Sequence, residues 1–189
     1  MESILIAAGA ENARKTLSDL IRPTGPQIIQ TAPNGNEARQ MLAEHAYDLV
    51  IINAPLPDES GVELANHVCS GLSGAILLVK SDLYSSAVER TEEYGVMVLE
   101  KPLNRGAFFR CLRLARVQLN RLSGLQQENR QLKEKIEEIR LVDRAKCLLI
   151  EFERCSETDA HRYIEKRAMD QRAPKVSVAR EIIRRYENR

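Results

Sequence analysis

The residues best placed to do chemistry in this chain are cations near its end. Arg144, Lys146, Arg162, Lys166, Arg167, Arg172, Lys175, Arg180, Arg184 and Arg185 all fall within residues 144–185. Ammonium and guanidinium groups neutralise phosphates, and a planar guanidinium also stacks on an unpaired base. Arg180 and Arg184 stand four residues apart, as do Arg162 and Lys166, so each pair shares a helical face. Glu165, Asp170, Glu181 and Glu187 are interleaved, so part of this charge is ordinary solvated surface. Lys146, Lys166, Arg167, Arg172, Lys175 and Arg180 are the first candidates for contact with a polyanion. The wider charge balance agrees. Residues 1–109 hold 8 Lys and Arg against 14 Asp and Glu, a balance of −6; residues 110–189 hold 20 against 13, a balance of +7. An acidic front and a basic back place the polyanion at the C-terminal end.

Covalent chemistry has no comparable set. The chain has no paired carboxylates, Ser/His/Asp arrangement, metal-ligand cluster or glycine-rich phosphate loop, so an enzyme, a cofactor and a metal are all unexpected. Cys69, Cys111, Cys147 and Cys155 form no CxxC pair and read as reduced thiols of a cytoplasmic protein. No apolar run reaches membrane-spanning length, and the N-terminus lacks the pattern of a secretory signal.

Holding the cations in place requires a scaffold. Leu122, Leu125, Asn129, Leu132, Ile136 and Ile139 recur at alternating steps of three and four. They form a heptad seam with Leu122, Asn129 and Ile136 at a and Leu125, Leu132 and Ile139 at d. So narrow a seam cannot be buried on its own helix and asks for a second copy. Asn129 favours a parallel, in-register homodimer at some expense of stability. Charge does not decide the pairing: Glu128 would attract Lys133 of the partner, whereas Lys135 would repel Arg140. No proline falls between Pro102 and Pro174, so one helix from about Arg105 to Phe152 is expected. Gly124 is its weak point, costing roughly 1 kcal/mol relative to Ala. Beyond it, Ala145, Leu148 and Leu149 continue an apolar face. Ser156 with Asp159 reads as a helix start, Arg172-Ala173-Pro174 as a stop, and Ser177 as a cap for a last helix carrying Val178, Ile182 and Ile183. Such a bundle of three short helices needs support from the coiled coil.

Before the seam, apolar strands at Ile4–Ala8, Gln27–Ala32, Leu49–Ile52, Ala75–Val79 and Val96–Leu99 alternate with helical stretches. That pattern predicts an α/β (βα)5 domain, a doubly wound parallel sheet. Sites in such sheets lie at the carboxyl ends of the strands, here Ala8, Gly9, Asn53, Lys80 and Lys101. Asp58 is expected to cap or turn the chain before the helix that follows Gly61.

The run Tyr47-Asp48-Leu49-Val50-Ile51-Ile52-Asn53-Ala54-Pro55-Leu56-Pro57-Asp58-Glu59-Ser60-Gly61, with Glu100-Lys101-Pro102-Leu103, resembles the third strand, its loop and the fifth-strand end of response-regulator receiver domains. The resemblance implies an aspartate nucleophile where Asn53 stands, a Mg²⁺-binding acidic pair where Ala8 and Gly9 stand, a hydroxyl at Lys80 and an aromatic at Val98. Only Lys101 is retained. By this resemblance the domain is a pseudo-receiver that forms no aspartyl phosphate, because a carboxamide has no anionic oxygen to attack phosphorus. A docking role for a regulatory protein and non-covalent binding of a small anion between Lys80 and Lys101 both stay open. Ala145-Lys146, Leu149-Ile150, Ser156-Glu157, Ala160, Ile164, Ala168-Met169, Val178-Ala179 and Ile182-Ile183 resemble the ANTAR domain of transcription antitermination regulators. That resemblance implies RNA as ligand: paired hairpin loops of a nascent leader transcript, held so that no terminator stem forms. The expected division is 1–117 receiver-like, 118–143 coiled coil and 144–189 ANTAR. Two rivals remain at this point, a DNA-binding response regulator and a protein adaptor for an acidic partner.

Overall fold

The computed structural model describes residues 1–187. Five parallel strands, β1 (Ser3–Ala8), β2 (Ile28–Ala32), β3 (Leu49–Asn53), β4 (Gly74–Lys80) and β5 (Met97–Lys101), form one sheet in the order β2-β1-β3-β4-β5. Between them run α1 (Glu11–Ile21), α2 (Gly35–Glu44), α3 (Val62–Cys69) and α4 (Tyr84–Thr91). The three central strands are continuous apolar runs because both faces of a parallel sheet are covered. Their side chains divide by alternation. Leu5, Ala7, Val50, Ile52, Leu77 and Val79 pack with Ala38, Leu64, Ala65, Val68 and Ala87 of α2, α3 and α4. Ile4, Ile6, Leu49, Ile51, Ile76 and Leu78 pack on the other face with Leu17 and Ile21 of α1 and with Phe108 and Leu112 of the helix that follows β5. The α/β doubly wound sheet expected from the strand pattern is present, with every strand within two residues of its predicted place.

After α4 ends at Thr91, Glu92–Tyr94 tightens into a 3-10 turn before Gly95. One detail differs from the sequence pattern. Asp58 does not cap the helix after Gly61. Its carboxylate accepts from the backbone N–H groups of Gly35 (2.8 Å) and Asn36 (2.9 Å), the first two donors of α2. Asn34 Oδ1 takes the third, from Glu37 N–H at 2.7 Å. The α2 N-terminus is thus satisfied largely by a loop 22 residues downstream, a long-range contact that local capping rules cannot anticipate. Gly61 itself has φ 88°, and a Cβ there would meet Ile52 Cγ2 at 2.9 Å, so backbone and space both require glycine.

α5 runs unbroken over Arg105–Glu153, as the absence of proline predicted. The chain divides into two compact units, 1–124 and 125–189, and the division falls within α5 immediately after Gly124. In the second unit α5 ends against α6 (Glu157–Gln171) and α7 (Lys175–Glu187). Ala145, Leu149, Ala160, Ile164, Ala168, Val178, Ala179, Ile182 and Tyr186 form its core. Four of these are alanines, which let helices approach closely. Ser156 caps α6, with Asp159 N–H at 3.2 Å, as its sequence pattern predicted. Ser177 does not cap α7. That helix already begins at Lys175, directly after Pro174, and Ser177 lies inside its first turn with its N–H on Pro174 O at 3.0 Å. Among the described residues, no helix is long and apolar enough to cross a membrane.

Candidate functional site

Three surfaces hold the residues singled out in the sequence. The first is the carboxyl edge of the sheet. Register aligns Ala8 with Asn53 and Lys80 with Lys101. Lys101 Nζ crosses to β3, donating to Asn53 Oδ1 at 3.0 Å and to the Ala54 carbonyl. Burial, and then the neighbouring Lys80 charge, hold the Lys101 ammonium below its ordinary pKa. Lys80 is exposed. At the end of β1 a residue absent from the sequence reading takes over. Arg14, from α1, donates through one nitrogen to the carbonyls of Ala8 (2.7 Å) and Gly9 (2.8 Å). The loop after β3 closes on the same place: a Cβ on Gly9 would meet Pro57 Cγ at 2.9 Å. The structure therefore brings Ala8, Gly9, Asn53 and Lys101 together, with Arg14 added.

The Asp58 carboxylate that ties this loop to α2 has a pKa below its ordinary value of 3.8, chiefly through the Gly35 and Asn36 N–H groups. A depressed folded-state pKa contributes stability that is fully present above the unfolded value and lost as pH falls through the folded one. We expect Asp58→Asn to lower the melting temperature at neutral pH and to flatten the acid limb below pH ~4. Melting curves collected across that limb check this; a parallel shift at every pH would contradict it.

The second surface is the seam. Leu122, Leu125, Leu132, Ile136 and Ile139 are 48 to 57% exposed on α5, and Asn129 is exposed between them. About half of each of these apolar side chains is thus left open to solvent in the single chain.

The third is the basic head. Lys166, Arg172, Lys175 and Arg180 are exposed, while Lys146 and Arg167 are half-buried. The six are not equivalent. Lys146 is bound by Asp143 (2.7 Å) and Glu157 (3.3 Å), which raise its pKa, Asp143 most. Lys175 sits 2.5 Å from Glu165 and, as its main partner, holds that carboxyl below its ordinary range. Arg167 lies 3.6 Å from Glu181 and donates to Tyr163 Oη at 2.8 Å. Lys166, Arg172 and Arg180 have no carboxylate partner among the described residues. Arg172 stands at φ 50° where α6 ends, a left-handed residue that turns the chain toward Pro174. Lys146 and Lys175 also edge a groove of about 460 Å³ lined by Ile139, Val142 and Val176. Of the carboxylates that partner these cations, Glu165 and Glu181 were legible as interleaved charge, whereas Asp143 and Glu157 were not.

Comparison with known proteins gives these surfaces a frame. A response regulator receiver domain model matches residues 4–113, and an ANTAR domain model matches residues 130–183. The transcriptional regulatory protein PdtaR of Mycobacterium tuberculosis (strain H37Rv) is 30% identical over 181 residues, 95% of this chain and 88% of that one. This chain belongs to the response-regulator family and carries an ANTAR domain.

Among solved structures, the signal receiver domain of an HD domain-containing protein from Pseudomonas fluorescens Pf-5 aligns with TM-score 0.56 at 26% identity. It covers 67% of this chain and 92% of its own. The response regulator TrrA from Thermotoga maritima, crystallised with Mg²⁺ and BeF, aligns with TM-score 0.53 at 26% identity, covering 61% of this chain and 99% of its own. The receiver unit here does not offer what a divalent ion needs. Mg²⁺ demands near-octahedral oxygen ligands, carboxylates among them. Ala8 and Gly9 supply no carboxylate, their carbonyls already accept from Arg14, and Asn53 Oδ1 accepts from Lys101. The donor set does not fit the metal.

Proposed function

We propose that this ANTAR response regulator is a non-enzymatic, cytoplasmic RNA-binding protein that acts as a homodimer on nascent leader transcripts. Two copies zip through Leu122, Leu125, Asn129, Leu132, Ile136 and Ile139. Each ANTAR head then grips one hairpin loop, with Lys146, Lys166, Arg167, Arg172, Lys175 and Arg180 on phosphates and loop bases. Holding the hairpins keeps the terminator stem from forming, and transcription continues. The working segments are 1–117 as sensor, 118–143 as zipper and 144–189 as RNA-binding head. The observation that carries this reading is the pairing of a half-exposed leucine and isoleucine stripe with a cation-rich three-helix head on one chain. The relative PdtaR bears the name of a transcriptional regulatory protein, which supports the same reading. Asn53 at the end of β3 supports independence from aspartyl phosphorylation, since the amide is bonded to Lys101 and lacks a nucleophilic anion.

The test combines sedimentation of the purified chain with gel shifts on paired-hairpin RNA, duplex DNA and an unstructured RNA. The expected outcome is a dimer at micromolar concentration that retards hairpin RNA, with affinity falling steeply as salt rises. Preference for duplex DNA would favour a DNA-binding regulator instead. Binding to none of the three nucleic acids would favour the protein adaptor.

A further inference from the structure

Met169 is 72% exposed, more than any other large apolar side chain among the described residues. The core of the head does without it. A step of about 100° per residue puts Arg162, Lys166 and Met169 on the side of α6 that faces away from buried Ile164. A surface helix ordinarily carries polar residues there. Arg162 and Lys166 are exposed and have no carboxylate partner among the described residues. The turn that closes α6 holds a second departure. Ala173 N–H donates to Ala168 O at 2.9 Å and Arg172 N–H to Met169 O at 3.1 Å. That paired closure ordinarily has glycine at its left-handed position. Here Arg172 stands there, at φ 50° and ψ 40°. A side chain is strained in that conformation, so folding alone favours glycine. What arginine adds is an exposed guanidinium next to Met169. The two line one notch of about 650 Å³ with Ala168, Ala173 and Pro174, and the Glu165–Lys175 pair closes its far side.

We propose that this notch seats one unpaired base of the RNA, packed on Met169, while Arg172 and Lys166 hold the phosphates that flank it. The proposal rests on the RNA-binding reading and adds a requirement to it: the hairpin has to present a base that is free of its own loop stack. Charge and shape select this occupant. An apolar floor with cations at its rim suits a flat ring that carries an anion on each side, which is what a single nucleotide of a chain offers. The methionine thioether is polarisable and makes favourable contacts with aromatic rings. Packing of a base against a side chain tolerates sequence, so Met169 supplies affinity without choosing the base.

The test uses the full chain, the paired-hairpin RNA, and copies of that RNA in which one loop base at a time is replaced by an abasic sugar. Met169→Ala is expected to melt like wild type and to bind the intact RNA about 10-fold more weakly, with an unchanged salt slope. Met169→Leu is expected to stay within about 2-fold of wild type, since it keeps the apolar surface. At one loop position the abasic RNA is expected to bind wild type about 10-fold more weakly and to be indifferent to Met169→Ala, because the base and the side chain that meets it count once. Arg172→Gly is expected to move stability and binding in opposite directions. It melts about 3 °C higher, as the left-handed strain is relieved, yet binds RNA about 10-fold more weakly, with the salt slope lower by about 1. A Met169→Ala protein that binds the intact RNA like wild type would overturn the proposal and leave the patch to a protein partner. So would a Met169→Ala penalty that persists at full size on every abasic RNA, or an Arg172→Gly protein that binds as tightly as wild type. If wild type fails to retard the hairpin RNA at all, the RNA-binding reading falls and this seat falls with it; if wild type binds and the variants behave alike, only the seat is lost.

Discussion

Leu132→Asp is expected to convert the protein from dimer to monomer and to weaken hairpin-RNA binding about 100-fold through loss of avidity. The magnitude follows from the stripe itself. Leu122, Leu125, Leu132, Ile136 and Ile139 each keep about half their surface in water in the single chain. Covering that half contributes roughly 1 kcal/mol per residue, so ten residues across two chains give about 10 kcal/mol. Association costs roughly 4–15 kcal/mol in lost freedom. The two terms are of similar size, so the packing at the centre of the stripe decides the affinity, and a substitution there acts hardest. An aspartate at position 132 sets two carboxylates against each other at the middle of the seam. Burying unpaired charge costs several kcal/mol, which takes the dissociation constant up by at least about 1000-fold. Because Leu132 is 56% exposed in the single chain, the substitution leaves each unit folded. Sedimentation reports the loss of the dimer and a thermal melt confirms the fold. Asn129→Leu is the contrasting change: it removes a polar group from an a position and is expected to tighten the dimer while loosening its register. A Leu132→Asp protein that still sediments as a dimer would place the contact elsewhere.

How much of this was legible beforehand depends on the range of each interaction. The sheet was legible because β1, β3 and β4 are uninterrupted apolar runs, a pattern that only burial on both faces produces. The long helix was legible from missing prolines, and Ser156 as a cap from the Asp three residues on. Asn53 and Lys101 were found as strand ends, but not their bond: β4 lies between β3 and β5, and only the length of the lysine side chain carries its Nζ past that strand. What escaped was anything joining distant segments through side chains. Asp58 caps α2, not the helix next to it, because the loop folds back across the sheet edge. Arg14 reads as an ordinary surface arginine of an amphipathic helix. Only the return of α1 over the end of β1 brings its guanidinium onto two carbonyls, although its position within the first turns after Gly9 was the available signal. Tyr186 was missed as core. It stacks on Phe152 at 5.1 Å and donates to Glu153, a contact across 33 residues.

The ANTAR head divides its cations into two groups, and they are expected to behave differently toward RNA. Lys166, Arg172 and Arg180 carry no carboxylate partner among the described residues, so a phosphate meets them without competition. Lys146, Lys175 and Arg167 already face Asp143, Glu157, Glu165 and Glu181. A phosphate must displace those carboxylates, and the exchange returns little because one anion replaces another. Replacing Lys166, Arg172 and Arg180 together by alanine is therefore expected to weaken hairpin-RNA binding about 100-fold or more. If all three meet phosphates, the slope of log affinity against log salt drops by about 2 to 3. Glu165→Gln is expected to act in the opposite direction, tightening RNA binding a few-fold by freeing Lys175. The Glu165–Lys175 pair is largely exposed and contributes little to folding, so the gain comes without a matching loss of stability. Affinities measured over a salt series read both effects in one experiment. A triple variant with an unchanged salt slope would remove these three residues from the RNA contact. A Glu165→Gln protein that binds more weakly would mean that the Glu165–Lys175 pair shapes the RNA surface and does not compete for it.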